Sequence, residues 1–463
     1  MKEMHCFPAE SFTTECFDGF ACRVWKDAPY CAAPVDDIQR LHLYAPACYF
    51  EGVSINGYTL NTAPIFLPNT VGGYMPGEPP EAGFDQNGHP NTVLQALMHC
   101  YVVACAGIRG RSTKNNAGKA PALIVDMKAA IRYLRHNADV IPGNTERMIT
   151  SGTSAGGALS ALTGASGNAE DYEAYLDDIG AAKERDDVFA ANCYCPIINL
   201  ENADAAYEWQ FSQENIYRNW HGQGELSDEQ MKLAEQLKTL FPAYVNSLAL
   251  QDEAGQPLRL NADGSGSLLD AVKRCVMDSA QHELDTHDSA VRLPWLMVPG
   301  SHVEEQSFLH IENGMATDLD WDAYIRAITR MKQPPAFDSL HLNTPENDLF
   351  ATSDGINRHF TIFSHAHSAV GGCMAEEAVI RLLNPMTQLN APGLTRHWRI
   401  RHGAYDRDTS LAIPFLLAAA LQMHGCNVDF RFPWGLPHSG EYDLPELFDW
   451  IDLLCKKHKY KDR

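Results

Sequence analysis

Basic side chains are scarce in this sequence: Lys and Arg number 36 against 59 Asp and Glu, a formal net charge of −23. Phosphate backbones are held by patches of Lys and Arg, so no nucleic-acid partner is expected. The same deficit argues against docking on an anionic membrane surface. Long apolar runs are missing too. The longest, Leu411–Leu421, contains Pro414 and is too short to span a bilayer. Met1–Pro8 lacks the apolar core of a secretion signal. The 13 cysteines are scattered, and the Cys193-Tyr194-Cys195 stretch lacks zinc-knuckle spacing. Cys6, Cys16, Cys22 and Cys31 crowd the N-terminal stretch without a metal-ligand pattern. The expectation is a cytoplasmic protein with reduced thiols, needing no metal or cofactor.

What is present is an ordinary globular profile, 45% hydrophobic and 21% charged over 463 residues, enough for a large core. One stretch organises the rest. Gly152-Thr153-Ser154-Ala155-Gly156 matches G-x-S-x-G, with a β-leaning segment, Arg147–Thr150, before it and a small-residue helical pattern, Ala155–Leu162, after it. Strand, tight turn and helix are what a nucleophile elbow requires. Glycines at 152 and 156 remove side chains that would collide across such a turn. The helix start then offers the Ala155 amide as an oxyanion donor. A Gly/Ser-rich loop capping a helix is the plainer reading of the motif alone.

Along the chain, residues 1 to about 45 read as irregular, and Leu41–Pro46 as the first core strand. Pro64–Pro68 reads as a buried strand, followed by a glycine-rich loop over Asn69–Gly77. In α/β-hydrolases the loop after the third strand supplies a second oxyanion amide, and Gly73 is the candidate here. Thr92–Met98 reads as helix, Tyr101–Cys105 as strand and Asp126–Leu134 as helix. Strands are expected at Asp187–Ala191 and Tyr194–Ile198. Such alternation predicts an α/β fold, a mainly parallel sheet with helices on both faces. From about Asn199 to Leu389 the chain turns polar, helical and loop-rich. Strand rhythm returns at His397–Arg401, then a helix from Asp408 to His424, a strand Val428–Phe432 and a final helix Leu444–Cys455. The expected organisation is a core over 1–198, an inserted lid domain over 199–389 and a second part of the core over 390–463.

A nucleophilic serine needs a base, and the base an orienting acid; in this fold the chain order is Ser, acid, His. His438 falls in the last strand–helix loop, where the base belongs. Asp406 and Asp408 compete as acid. Asp408 stands at the start of the expected helix, where an N-cap is its simpler role, and Asp406 lies nearer the strand end. His402 is a rival base that precedes both aspartates and breaks the order.

With these residues assembled, the chain resembles the bacterial tannases, or tannin acyl hydrolases. The matching stretches are Pro68–Tyr74, Gly107–Arg111, Val125–Tyr133, Gly152–Gly157, Ala206–Phe211, Thr329–Lys332, Pro345–Asn347, His397–Gly403 and Pro437–Asp443, which span most of the chain beyond about residue 64. The N-terminal stretch and about 212–320 lie outside the resemblance. It implies an α/β-hydrolase that cleaves galloyl esters through a Ser154–His438–Asp406 triad, with Gly73 as an oxyanion donor. It also implies that Lys332, Glu346 and Asp408 hold the ring hydroxyls and that Ile197 packs on the ring. Carboxylates accept well from phenolic donors, and an ammonium donates to ring oxygens. Thr344-Pro345-Glu346 reads equally as a helix start, with threonine as cap and proline at N1. The expected partner is a small phenolic ester. A feruloyl or other aromatic-acid esterase on the same fold stands beside this reading, and so does a non-catalytic binding protein of hydrolase shape.

Overall fold

Short apolar runs form the centre of a nine-stranded sheet. The computed structural model describes residues 6–219, 221–286 and 308–458. In chain order the strands are β1 (Thr13–Phe17), β2 (Phe20–Pro29), β3 (Arg40–Pro46), β4 (Pro64–Pro68), β5 (Val102–Ala106), β6 (Asn144–Thr153) and β7 (Ala190–Tyr194). Two hairpins follow, β8 (Ile216–Asn219) with β9 (Gly222–Glu225) and β10 (Leu309–Glu312) with β11 (Met315–Leu319). The last strands are β12 (His397–Arg401) and β13 (Asn427–Arg431). The main sheet runs β1-β2-β3-β5-β4-β6-β7-β12-β13. From β5 to β13 all neighbours are parallel, and β1, β2 and β3 add an antiparallel edge. Every residue of β4, β5 and β7 is buried, as strands covered on both faces should be.

The β1–β2 hairpin corrects the expectation of an irregular N-terminus. Its strands carry exposed polar side chains, Lys26 and Asp27 among them at a register break, so no apolar run advertises them. The two strands expected at 187–191 and 194–198 are one, Ala190–Tyr194. Cys195 follows at φ +43°, outside the strand region, and ends it. The helix expected from Asp408 begins at Ala412, because residues 406–410 are tied into a turn described below.

Between β7 and β12 the described residues add no strand to the main sheet. They form the helix Leu200–Phe211, further helices at Asp228–Lys238 and Ser267–Thr286, the two hairpins and short helices up to Leu382. Asp452, on the closing helix Leu444–His458, pins that helix to the sheet. It accepts from Tyr58 and Tyr101 Oη at 2.7 Å and from Asn56 Nδ2 at 3.0 Å. Among the described residues no helix is long and apolar enough to cross a membrane.

Candidate active site

The strand ends set the site. Thr153 pairs with Tyr194, and Tyr194 with Arg401, which pairs with Arg431. The residues that follow, Ser154, Cys195, His402 and Phe432, therefore leave the sheet along one rim. Ser154 sits at φ +62°, ψ −122°, a strained conformation for a non-glycine residue, and the helix Ala155–Ala165 starts directly after it. Its N–H donates to the Tyr194 carbonyl at 3.0 Å, and its own carbonyl accepts from Ala158 and Ile197 at 2.9 and 3.3 Å.

Both elbow glycines are dictated by contact. A Cβ on Gly152 would lie 2.5 Å from the Gly156 carbonyl oxygen and 2.3 Å from Asn69 Nδ2; one on Gly156 would lie 2.5 Å from Asn69 Oδ1. Asn69, which sequence reasoning passed over, joins the loop after β4 to the elbow. Its amide donates to the carbonyls of Ser151 and Gly156 at 2.9 and 3.1 Å. In that loop Gly73 is exposed at φ +54°, and Arg111 Nε holds its carbonyl at 2.9 Å. Buried Tyr74 ties the loop to Ile197 by donating from its hydroxyl to the Ile197 carbonyl at 2.7 Å. The Ala155 amide belongs to the first turn of its helix, where N–H groups have no intrahelical acceptor.

His438 Nδ1 lies 2.7 Å from Asp406 Oδ2, and the other oxygen of fully buried Asp406 accepts from the Asp408 amide at 2.8 Å. Burial alone would raise the Asp406 carboxyl. The nearby His438 and His402 rings, with these hydrogen bonds, outweigh it and hold the group well below the usual carboxylate range. For His438, burial favours the neutral ring, but the Asp406 carboxylate outweighs that and raises its pKa. The loop bearing His438 is pressed against the elbow: a Cβ on Gly440 would meet Thr153 Oγ1 at 2.0 Å, and one on Gly403 would meet the Leu436 carbonyl oxygen at 2.1 Å. His402 is buried behind Asp406, its Nδ1 3.5 Å from the same Oδ2, and burial lowers its pKa.

Asp408 does not cap the helix that begins at Ala412. Gln210 Oε1 instead accepts from Ser410 Oγ and the Leu411 amide at 3.0 and 2.8 Å and fixes that turn. Asp408 Oδ2 is 3.9 Å from His438 Nδ1, and its Oδ1 is 3.3 Å from Lys332 Nζ. The ammonium also lies 3.9 Å from the centroid of the Phe337 ring. Glu346 is buried in the helix Pro345–Leu349, which does start as a capped turn on Thr344. Burial raises its carboxyl, and the nearby Lys332 and Arg111 oppose that. Lys332, Glu346 and Asp408 thus share one charged neighbourhood that adjoins the imidazole. Ile197 is buried beside the elbow.

Three further residues hold Lys332 in place. The Tyr207 hydroxyl accepts from the Met331 and Lys332 amides at 2.9 and 3.0 Å and donates to the Arg407 carbonyl at 3.1 Å. Arg330 and Glu208 form a fully buried ion pair, and Arg330 Nε donates to the Lys332 carbonyl at 2.8 Å. The segment also carries Thr329 at φ +59°, a genuine outlier for a β-branched residue. The available signal was Glu208 itself, a carboxylate amid the apolar residues of a helix, which needs a cation. Among the described residues two side-chain sets could ligate a metal: Cys195, His402 and Asp406, and Asp406, Asp408 and His438.

A strained hydroxyl at a helix start, on the same sheet rim as a carboxylate–imidazole pair, is an arrangement for acyl transfer. Comparison with known proteins agrees. The family model described as BD-FAE matches residues 73–245. A tannin acyl hydrolase from Lactobacillus plantarum is 43% identical, with a TM-score of 0.91 over 98% of this chain and 100% of that one. A tannin acyl hydrolase solved in complex with ethyl gallate is 44% identical, with a TM-score of 0.91 and the same coverage. Tannase from Fusobacterium nucleatum is 41% identical, with a TM-score of 0.90 over 97% of this chain and 99% of that one. A search of curated proteins gives no match.

Proposed function

This chain belongs to the tannin acyl hydrolases and is a carboxylic ester hydrolase of galloyl esters; we propose that it works through a covalent acyl-serine, as follows. Ser154 Oγ attacks the galloyl carbonyl while His438 takes its proton, and Asp406 holds the imidazole in the required tautomer. The amides of Ala155 and Gly73 receive the oxyanion, and loss of one such donor costs about 2.7–4 kcal/mol in the barrier. His438 returns the proton to the departing alcohol. Water, activated by the same imidazole, then releases gallate.

Glu346 and Asp408 accept from ring hydroxyls, Lys332 donates to a ring oxygen and Ile197 packs against the ring face. The observation that carries this reading is the run of contacts from Asp406 to His438 (2.7 Å), to Asp408 (3.9 Å) and to Lys332 (3.3 Å), which sets polyphenol recognition against the proton relay. We assign residues 199–389 as the lid domain that carries Lys332 and Glu346 to the core. A ring without hydroxyls displaces water from buried Glu346 and from the half-buried Lys332–Asp408 pair without offering them a hydrogen bond in return, so such esters should react far more slowly.

The test is hydrolysis of methyl gallate and methyl benzoate by wild type and Ser154→Ala, with folding checked by circular dichroism. Activity should vanish in the variant, and the benzoate should be a poor substrate for the wild type. Hydrolysis retained without the hydroxyl would end the mechanism. Equal rates on the two esters would favour a broad aromatic-acid esterase. A wild type that a fluorophosphonate fails to label at Ser154 would favour a binding protein.

A further inference from the structure

We propose that Cys195, His402 and Asp406 form a binding site for a thiophilic divalent cation of the zinc class, and that its occupation switches the esterase off. The donors come from adjacent strand ends. Cys195 follows β7 and His402 follows β12, two paired parallel strands, and the Cys195 amide donates to the Arg401 carbonyl at 2.7 Å. Asp406 completes the set from the turn after β12. All three residues are fully buried, and one donor atom from each lies within 4.8 Å of the other two. With Zn–S near 2.3 Å and Zn–N and Zn–O near 2.0–2.2 Å, donors on a tetrahedral ion stand roughly 3.3–3.7 Å apart. The edge from His402 Nδ1 to Asp406 Oδ2 is already 3.5 Å.

A second observation points to a ligand. Neither ring nitrogen of His402 makes a hydrogen bond among the described residues, although the ring is wholly enclosed. Native interiors rarely leave an imidazole with two idle nitrogens, and each such group calls for an explanation. The donor chemistry selects the ion. A thiolate, a neutral imidazole and a carboxylate suit zinc-class cations, whereas calcium and magnesium take shells of oxygen. On binding, the thiol proton passes to solvent, and the hydrogen bond from Cys195 Sγ to the Ser439 carbonyl at 3.2 Å gives way to the metal bond. One thiolate and one carboxylate then balance the dication, so the enclosed site carries no net charge.

The consequence for activity rests on the proposed mechanism; the binding itself does not. Asp406 Oδ2 is the atom that orients His438. A cation on that carboxylate draws the lone pair away and sets positive charge beside an imidazole that must accept a proton. Turnover should therefore stop, while the contacts of Lys332 and Glu346 to the ring are kept. The expected pattern is a fall in kcat with little change in KM.

The experiment titrates chelator-treated protein with Co2+, then repeats it on Cys195→Ser and Cys195→Ala. The difference spectrum between wild type and variants should show a thiolate-to-cobalt charge-transfer band saturating at one equivalent. In parallel, Zn2+ should inhibit methyl gallate hydrolysis by the wild type, and chelator should restore it. Each variant, compared with its own metal-free rate, should need at least roughly 100-fold more Zn2+. Unchanged thermal midpoints establish that the variants fold. Equal zinc sensitivity in wild type and variants, with no difference band, would overturn the site and point to Asp406, Asp408 and His438 as the locus. A wild type that gives the band but cleaves no gallate ester would retain the site and sink the triad mechanism instead.

Discussion

Tyr207→Phe deletes one oxygen and tests how ring recognition is aimed. That oxygen serves the amides of Met331 and Lys332 and the carbonyl of Arg407. It is therefore the shared anchor of the lysine segment and of the turn between Asp406 and Asp408. Tyr207 is fully buried, so its removal leaves two donors and one acceptor without a partner. Each unmet buried group costs about 1–3 kcal/mol, and if one water enters to serve part of the set the loss of stability should be about 2–4 kcal/mol. The buried Arg330–Glu208 pair remains and keeps the segment from leaving altogether. A displacement of the order of 1 Å can cost on the order of 100-fold in rate. We expect kcat/KM for methyl gallate to fall about 10- to 100-fold, or about 1.4–2.7 kcal/mol in the barrier. Methyl benzoate, which offers Lys332 nothing to hold, should lose less than about threefold by the same logic. The assay is steady-state hydrolysis of both esters, with denaturant unfolding of the variant alongside. An equal loss on the two esters would show that the hydroxyl serves the relay rather than the ring site. An unchanged stability would refute the accounting of unmet partners.

Three further outcomes are expected. Gly156→Ala drives a methyl group to 2.5 Å from Asn69 Oδ1 and 2.8 Å from the Val71 carbonyl oxygen; overpacking of this kind costs about 1–3 kcal/mol. Because the displaced loop carries Gly73, kcat should fall more than KM rises, and a variant with wild-type kinetics would speak against the oxyanion assignment. In the wild type, Asp406 raises the His438 pKa, so kcat/KM should climb with pH through a value above the ordinary histidine range; Asp406→Asn removes that larger cause and leaves burial opposed only by the smaller effect of Cys195, so the limb should move to lower pH while kcat drops about 10⁴-fold. A limb that stayed in place would mean another group titrates. Asp452 is held below the ordinary carboxylate range, burial notwithstanding, by its bonds from His99, Tyr58, Tyr101 and Asn56. Its stabilisation is therefore complete above about pH 4 and lost as pH falls toward its folded value. Asp452→Asn should cost about 2–4 kcal/mol at neutral pH and flatten acid unfolding, measured by urea titration at several pH values.

The sheet centre and the elbow were legible because their signals are local. Pro64–Pro68 and His397–Arg401 are strands at the expected residues, and Thr92–Met98 is a helix at the expected residues. Distance to the strand end favoured Asp406 over Asp408 as the acid, and Asp406 Oδ2 lies 2.7 Å from His438 Nδ1 against 3.9 Å for Asp408. The β1–β2 hairpin was hidden because an edge strand alternates poorly and carries charge. Asn69 and Tyr207 were hidden for another reason. Each acts through backbone groups far away in the chain, and no periodicity records which carbonyl an amide will meet. The roles proposed for Lys332 and Glu346 rest on resemblance, since a lone lysine and an acid in a first helical turn are common on any surface.

The strand order carries a consequence for how such a protein can change. Ser154, Asp406 and His438, the proposed triad, stand on loops rooted in the parallel sheet, but Lys332 and Glu346 ride on the long excursion between β7 and β12. Asp408 belongs to both neighbourhoods, two residues from Asp406 and 3.3 Å from Lys332. On the proposed assignment, preference for an aromatic acid can thus be rewritten by exchanging the excursion, with the triad inherited intact, provided the newcomer still meets the shared aspartate.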